Sequence, residues 1–426
     1  MQRRIPVHGI SIAILAMGLG NSANAEATLF DFPFYFAAPR TAWGEARELK
    51  AGAELPGGAV VVDSEIAGLP EIPAGLRFVV LPDTPPNRTA ACRMLSSKGL
   101  LEDGDVVLTF RPDWADTMAY PHIQMGISHS GFIHTRNGTA YNLDMPLDEE
   151  FNKAFNSELN SKHYLEAKAV HVLRHRDFHE ADLKDFRQFI DEFLTDVPTI
   201  RKKGLLPFNS DYLTPRYAAY QITPAQSVDR FRTIALSPGS QDSPMKMYCS
   251  EFVWHMQSLN GKLHDNAPVI FPPADFVSLT GGEGMADGPL TVLTSAGAKL
   301  PPERKLELSA EIFTDTDAPQ LSTGHKATAK QVKPLMDQLS VYYQMVLGNR
   351  NSTTINGVEV ARDNYAGSMN ASMPDNYSPT TFMLNSFLPA GHPDRKFDYL
   401  YTLVFVPNDD YRKALEIAKQ ERKSKP

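Results

Sequence analysis

The pattern of apolar and polar residues predicts a chain that mixes short strands with amphipathic helices. Brief apolar runs bounded by turn-forming residues are typical of strands, and apolar residues spaced three or four apart are typical of a helix that packs one face on a core. We therefore expect an α+β fold. Strands are predicted at residues 59–62, 78–81, 105–110 and 167–173, in a hairpin at 127–144, and at 399–406. Helices are predicted at residues 180–195, 224–235, 247–259 and 334–347, with a short basic helix at the C-terminal end. Loops are predicted at residues 83–87 and 349–379.

The first residues have the composition of an export signal. Arg3 and Arg4 precede an apolar run from Ile10 to Leu19, which is too short to span a bilayer. Ala23-Asn24-Ala25 is a small-x-small sequence of the kind that signal peptidases accept. We predict that residues 1–25 are a signal peptide cleaved after Ala25, and that the protein is periplasmic or secreted. We expect no transmembrane segment after this cleavage.

Composition divides the remaining chain into three predicted regions. Residues 26–99 are rich in Pro, Gly and Ala and contain short strands, so we predict a β-rich N-terminal region. Residues 100–272 contain the most regular strands and helices. Residues 273–426 begin with Gly and Pro breakers and form a mixed α+β region to which the sequence assigns no role.

Charge and cysteine content exclude some classes of function. The formal net charge is −8, which argues against nucleic acid as the main partner. The two cysteines, Cys92 and Cys249, are too few for a disulfide scaffold in a chain of 426 residues. They leave two alternatives open, a single Cys92–Cys249 bridge or two independent thiols.

The predicted hairpin places candidate catalytic side chains on one face. Asn137-Gly138 is a strong signal for a two-residue turn, and such a turn determines which flanking residues pair. Because side chains alternate between faces, His129 is expected to share a face with Asp144 and Asn142. Asp144 is the diagonal neighbour that can orient the imidazole, and Asn142 is the second candidate for that position.

The helix predicted at 247–259 carries a second candidate group. An apolar stripe runs along it, formed by Cys249, Phe252, Val253, Met256 and Leu259. A thiol close to a helix N-terminus is favoured as thiolate by the positive end of the helix dipole. Ser243-Pro244 is an alternative helix start, and that start would move Cys249 into the second turn.

Cys249, His129 and Asp144 are the three residue types that thiolate catalysis needs, a nucleophile, a base and a group that holds the base. Two other interpretations remain open: Cys249 as a buried structural thiol, and His129 as an ordinary hydrogen-bonded strand histidine. His122, His129 and His134 do not have the spacing of a metal site. We expect no metal and no cofactor.

Three runs together resemble a known family, namely residues 104–108 (GDVVL), 128–133 (SHSGFI) and 248–253 (YCSEFV). In this order they resemble the circularly permuted NlpC-type papain-like proteins, in which a histidine strand precedes the cysteine helix. The resemblance covers roughly residues 100–262 and extends to the run at 207–211, which is similar to the family's loop before the nucleophile helix. In that family the residue matching Asp144 is more usually Glu.

The resemblance implies a permuted papain-like core at residues 100–272, with an antiparallel sheet packed on the nucleophile helix. It implies Cys249 as nucleophile, His129 as base and Asp144 as the third member. Relatives include amidases and peptidases of bacterial walls and acyl-handling enzymes of the lecithin:retinol acyltransferase type. We therefore expect an exported cysteine hydrolase that cleaves an amide or ester bond of a wall peptide or a lipid acyl group. The alternative is a non-catalytic binding module that retains the papain-like frame.

Overall fold

The computed structural model describes thirteen stretches of the chain. They are residues 38–46, 49–66, 74–110, 129–145, 157–158, 167, 169–176, 180–209, 221–259, 352–361, 379–388, 391–393 and 395–424. The predicted signal peptide and the helix predicted at 334–347 lie outside these residues.

Strands and helices alternate along the described chain, and the α+β prediction is confirmed. The strands are β1 (Ala38–Pro39), β2 (Val60–Ile66), β3 (Ala74–Pro82), β4 (Val106–Phe110), β5 (His129–Arg136), β6 (Thr139–Leu143), β7 (Ser157–Glu158), β8 (Ala169–His175), β9 (Ser352–Ile355), β10 (Val358–Ala361) and β11 (Phe397–Val406). The helices are α1 (Pro85–Ser97), α2 (Glu180–Lys203), α3 (Pro224–Leu236), α4 (Cys249–Leu259), α5 (Pro379–Phe387) and α6 (Asn408–Ser424).

One nine-stranded sheet organises these elements, in the order β1-β3-β11-β8-β4-β5-β6-β7, with β2 paired to β3. Its neighbours are antiparallel except for β3 and β11, which are parallel. Within residues 100–272, for which an antiparallel sheet is predicted, β8, β4, β5, β6 and β7 pair only in the antiparallel direction. The parallel pair joins two strands outside that region. The sheet is mixed because a strand from the far end of the chain joins it in the parallel direction.

Strands from all three predicted regions lie in this sheet. β1 to β3 come from residues 26–99, β4 to β8 from residues 100–272, and β11 from residues 273–426. β11 lies in the interior of the sheet, where Val404 pairs with Val80 of β3 on one side and Ala169 of β8 on the other. The strands of the central region therefore form one sheet with strands of the N-terminal and C-terminal regions.

The alternation of side chains along the strands gives the sheet two apolar faces. Val106 and Leu108 of β4 belong to one core, and Val107 between them belongs to the other. The first core is covered by α2 to α6, and the second by α1. None of the helices in the described stretches is long and apolar enough to cross a bilayer.

Two of the predicted loops contain regular structure. The first, at 83–87, contains the start of α1: Thr84 caps the helix by accepting a hydrogen bond from the Asn87 backbone N–H at 3.4 Å. Pro85 and Pro86 occupy the first turn, where a missing N–H costs little because first-turn N–H groups have no partner within the helix. The second, at 349–379, contains the β9–β10 hairpin.

Candidate active site

The hairpin that carries the candidate base has the predicted register. Asn137 and Gly138 have φ values of 52° and 73°, as a tight two-residue turn requires. Arg136 therefore pairs with Thr139, and the ladder extends to Phe132 opposite Leu143.

His129 and Asp144 are joined by a buried hydrogen bond. The imidazole Nε2 donates to the Asp144 Oδ2 at 2.7 Å, and the two side chains are 3% and 1% exposed. An imidazole that donates through Nε2 carries its lone pair on Nδ1 when the ring is neutral. Asp144 therefore orients the ring, and Nδ1 is the nitrogen that can accept a proton.

Asn142, the second candidate for orienting the ring, does not make this hydrogen bond. It pairs with Ile133, is fully buried, and neither atom of its side-chain amide has a hydrogen-bond partner in the described part of the chain. Position along the chain explains the difference. Asn142 lies two residues before Asp144, opposite Ile133, and is therefore further from His129 than Asp144 is.

Helix α4 begins at Cys249, and the alternative start at Ser243-Pro244 is not adopted. The first helical hydrogen bond runs from the Phe252 N–H to the Tyr248 carbonyl at 3.0 Å. The chain before the helix is held by a neighbouring segment: Met247 donates to Pro207 at 3.2 Å and accepts from the Asn209 N–H at 3.0 Å. The described part of the run at 207–211 thus positions the start of α4.

All of α4 is buried, and the single apolar stripe predicted for it underestimates this burial. The helix packs on β5 and on α3, and its polar residues are tied to these surroundings. His255 is hydrogen-bonded through Nε2 to the Ser227 hydroxyl at 2.8 Å, and Gln257 donates to the Gly104 carbonyl at 2.8 Å. Burial lowers the pKa of His255 to about 4, so this histidine is neutral at neutral pH.

The edge of β5 beside His129 offers a hydrogen-bond donor that the sheet does not use. Ile133 donates its N–H to the Asp105 carbonyl on the β4 side, so the N–H of Ser130, three residues earlier, points to the opposite side. On that side the paired residues of β6 end at Leu143, opposite Phe132. The Ser130 N–H therefore extends past the end of β6, and it hydrogen-bonds the sulfur of Cys249.

The pKa of the Cys249 thiol is raised to about 11, mainly by burial and in addition by the negative charge of nearby Asp144. Hydrogen bonds from the backbone N–H groups of Ser130 and Ser250 act in the opposite direction. Desolvation outweighs the helix N-terminus here, so the expectation of a stabilised thiolate is wrong for the resting thiol. At neutral pH the thiol is protonated, and a base must remove its proton before it can attack.

Cys249 is a free, buried thiol with 7% of its surface exposed. This conformation therefore contains no Cys92–Cys249 bridge. Among the residues that the structure describes, no three His, Cys, Asp or Glu side chains are arranged to hold a metal ion. His122 lies outside those residues.

The Gly-Asp turn of the family resemblance anchors β4. Gly104 has φ 91°, a backbone conformation that favours glycine, and its N–H donates to the Ile133 carbonyl at 2.9 Å. Asp105 is 1% exposed and accepts two hydrogen bonds from the Arg174 guanidinium, at 2.9 and 2.8 Å. The turn thus joins β4, β5 and β8 at the end of α4 that carries Gln257, opposite the end that carries Cys249.

Sequence reasoning missed Ser130 and Ser250 as part of the site. Their signal was visible, because each small hydroxyl residue directly follows a predicted catalytic residue, His129 or Cys249.

No model of a known protein family matches the chain, and no curated protein matches it.

Proposed function

We propose that the protein is an exported cysteine hydrolase with a permuted papain-like core at residues 100–272. Cys249 is the nucleophile, His129 the general base and Asp144 the group that orients the base. The observation that carries this proposal is the buried His129–Asp144 hydrogen bond next to the strand position, Ser130, that contacts the Cys249 sulfur. This arrangement supplies a nucleophile, a base and an orienting carboxylate at the junction of β5 and α4.

In the proposed reaction the Cys249 thiol gives its proton to Nδ1 of His129. The resulting thiolate attacks the carbonyl carbon of the substrate, and the carbonyl oxygen becomes an oxyanion. First-turn N–H groups of α4 are suited to stabilise that oxyanion because they have no acceptor within the helix. The imidazolium then returns its proton to the leaving amine or alcohol, which leaves an acyl group on the sulfur, and water hydrolyses this thioester.

The raised pKa of the thiol fits this order of events. A protonated thiol in the resting state requires proton transfer at the moment of attack, and an imidazole held by a buried carboxylate is arranged for that role. The imidazolium that forms is then paired with the Asp144 carboxylate. The substrate class is an amide or ester, with a wall peptide and a lipid acyl group as the two candidates.

The test is hydrolysis of peptide amides and lipid esters by the wild-type protein and by Cys249→Ala. We expect the variant to fold normally and to lose turnover, because no other group can form the acyl intermediate. Ser258→Ala, a small change at the other end of α4, is the matched control and should keep its activity. Equal turnover by Cys249→Ala and the wild-type protein would refute the proposal.

A second candidate function is a non-catalytic binding module that retains the papain-like frame. The raised pKa and low exposure of Cys249 favour it, because both lower the reactivity of the thiol. It predicts that iodoacetamide labels Cys249 no faster than a model thiol, and that no substrate alters this rate. Labelling that competes with a hydrolysed substrate would favour the enzyme.

A further inference from the structure

Two buried serines hydrogen-bond the Cys249 sulfur through their backbone N–H groups, and their hydroxyl groups have no role in the proposed chemistry. Ser130 and Ser250 are both fully buried, and within the described residues neither side-chain oxygen has a hydrogen-bond partner. A buried hydroxyl without a partner costs folding free energy and is uncommon in proteins. The two hydroxyl groups on the residues that follow His129 and Cys249 therefore need an explanation.

Ser130 is the better placed of the two. Its backbone N–H points past the end of β6 to the sulfur, and its hydroxyl lies close enough to that sulfur to lower the pKa of the thiol. Ser250 lowers this pKa through its backbone N–H alone. A neutral thiol is a weak acceptor, so it leaves the Ser130 hydroxyl without a complete hydrogen bond. A thiolate at the same position is charged and accepts strongly.

We propose that the Ser130 hydroxyl is a further catalytic group, which donates a hydrogen bond to the Cys249 sulfur once the thiol proton has moved to His129. The step is a proton transfer from Sγ to Nδ1. The negative charge stays on the sulfur, and Ser130 keeps its own proton. The inference rests on the proposed function, because it assigns Ser130 to the thiolate that forms in that reaction. It explains why the buried Ser130 hydroxyl has no complete hydrogen bond in the resting state, since the sulfur becomes a strong acceptor only when it is charged.

The test compares Ser130→Ala with Ser258→Ala as the matched control. Ser258 is also a fully buried hydroxyl without a partner in the described chain, but it lies nine residues along α4 from Cys249, about 13 Å away. The readout is the rate at which dithiodipyridine, a small aromatic disulfide, modifies Cys249 between about pH 7 and about pH 9. Peptide mass mapping separates this modification from that of Cys92.

We expect the thiol pKa of Ser130→Ala to rise by about one unit, which lowers the thiolate fraction about tenfold. The more basic thiolate is about threefold more nucleophilic, so the net modification rate should fall about threefold at each pH. Ser130→Thr, which keeps a hydroxyl, should restore most of the rate. Ser258→Ala should react like the wild-type protein.

Two results would overturn the inference: a Ser130→Ala variant that reacts as fast as the wild-type protein, or a Ser258→Ala variant that slows equally. Circular dichroism of each variant shows whether its fold is intact, and Ser130→Gly, which also lacks the hydroxyl, provides the same comparison if Ser130→Ala does not fold. The modification needs no substrate, so its outcome is separate from that of the hydrolysis test. Hydrolysis that depends on Cys249 but a modification rate that does not depend on Ser130 would remove the inference and leave the proposed function intact.

Discussion

The Asp144 carboxylate has two opposing effects on the candidate site around Cys249. Asp144 holds the imidazole of His129, and its negative charge raises the pKa of the thiol. In the resting state the Asp144 charge favours the neutral thiol. In the proposed reaction, the imidazolium that forms by proton transfer is paired with Asp144, and the thiolate accepts hydrogen bonds from the N–H groups of Ser130 and Ser250. Each charge thus has a partner at the moment it forms.

These two effects predict that turnover and the labelling rate of Cys249 change in opposite directions in Asp144→Asn. Turnover should fall about 100-fold or more, because the ring loses the group that orients it. The pKa of Cys249 should fall, because a negative charge is removed, so iodoacetamide should label Cys249 faster at about pH 8. Asn142→Ala is the control, and neither quantity should change in it. Slower labelling of Asp144→Asn would contradict the electrostatic account.

The His129–Asp144 contact could be predicted from sequence because a two-residue turn at Asn137-Gly138 allows only one short-range register. The environment of Cys249 could not be predicted in this way. Its burial depends on how α4 packs on β5, and desolvation from that packing decides the pKa. The sequence pattern places Cys249 near a helix N-terminus, where the helix dipole favours a thiolate. It does not show how deeply the packed helix is buried, and this burial opposes the effect of the dipole.

At the scale of elements, the turn between α1 and β4 is tied to three other elements, β5, β8 and α2, through buried charges. Asp105 pairs with Arg174 of β8, while Asp103 accepts from the Thr135 N–H and hydroxyl on β5 and from Arg187 of α2. Burial raises the pKa of Asp105, and Arg174 acts against this rise. The turn therefore depends on Arg174 more than on Arg187, since Asp103 keeps two other donors.

We predict that Arg174→Met lowers the free energy of unfolding by about 2–3 kcal/mol at neutral pH, because it leaves the Asp105 carboxylate buried without its cation. Loss of Arg174 raises the pKa of Asp105 further above its unfolded value. The destabilisation should therefore shrink as the pH falls toward that raised pKa. Urea unfolding at about pH 7.5 and about pH 5 measures both effects. Arg187→Met is the control, with a smaller loss expected, and an equal loss in the two variants would refute this view of the turn.

The elements that sequence reasoning missed have identifiable causes. The start of α1 is predicted as a loop because two consecutive prolines usually interrupt regular structure, whereas Pro85 and Pro86 lie in the first helical turn, where prolines are acceptable. The β9–β10 hairpin turns at Asn356-Gly357, the same signal as Asn137-Gly138. Its flanking residues are largely polar and lack the apolar alternation that identified the first hairpin.

On the scale of the whole molecule, the candidate site depends on a sheet built from distant parts of the chain. β11 lies between β3 and β8, and β8 in turn supports β4 and β5. The α+β class followed from local patterns. The position of β11 did not, because its parallel pairing with β3 joins residues more than three hundred positions apart, and no local pattern specifies such a partner.

We therefore predict that a chain shortened to residues 26–272 does not fold, because removing β11 leaves β3 and β8 with unpaired edges inside the sheet. The measurement is thermal unfolding by circular dichroism, together with the rate of trypsin cleavage. The control is a full chain in which a Gly-Ser linker replaces residues 352–361, a hairpin whose strands pair only with each other in the described structure. That variant should unfold cooperatively, whereas cooperative unfolding of the shortened chain would show that β11 is dispensable.

The central claim is that the imidazole of His129 activates the Cys249 thiol. The most direct measurement is the mass of the Cys249 peptide after brief incubation with an activated p-nitrophenyl ester, in the wild-type protein and in His129→Ala. We predict an acyl group on Cys249 in the wild-type protein and little or none in the variant. Equal acylation of the two proteins, or acylation at other residues only, would contradict the account.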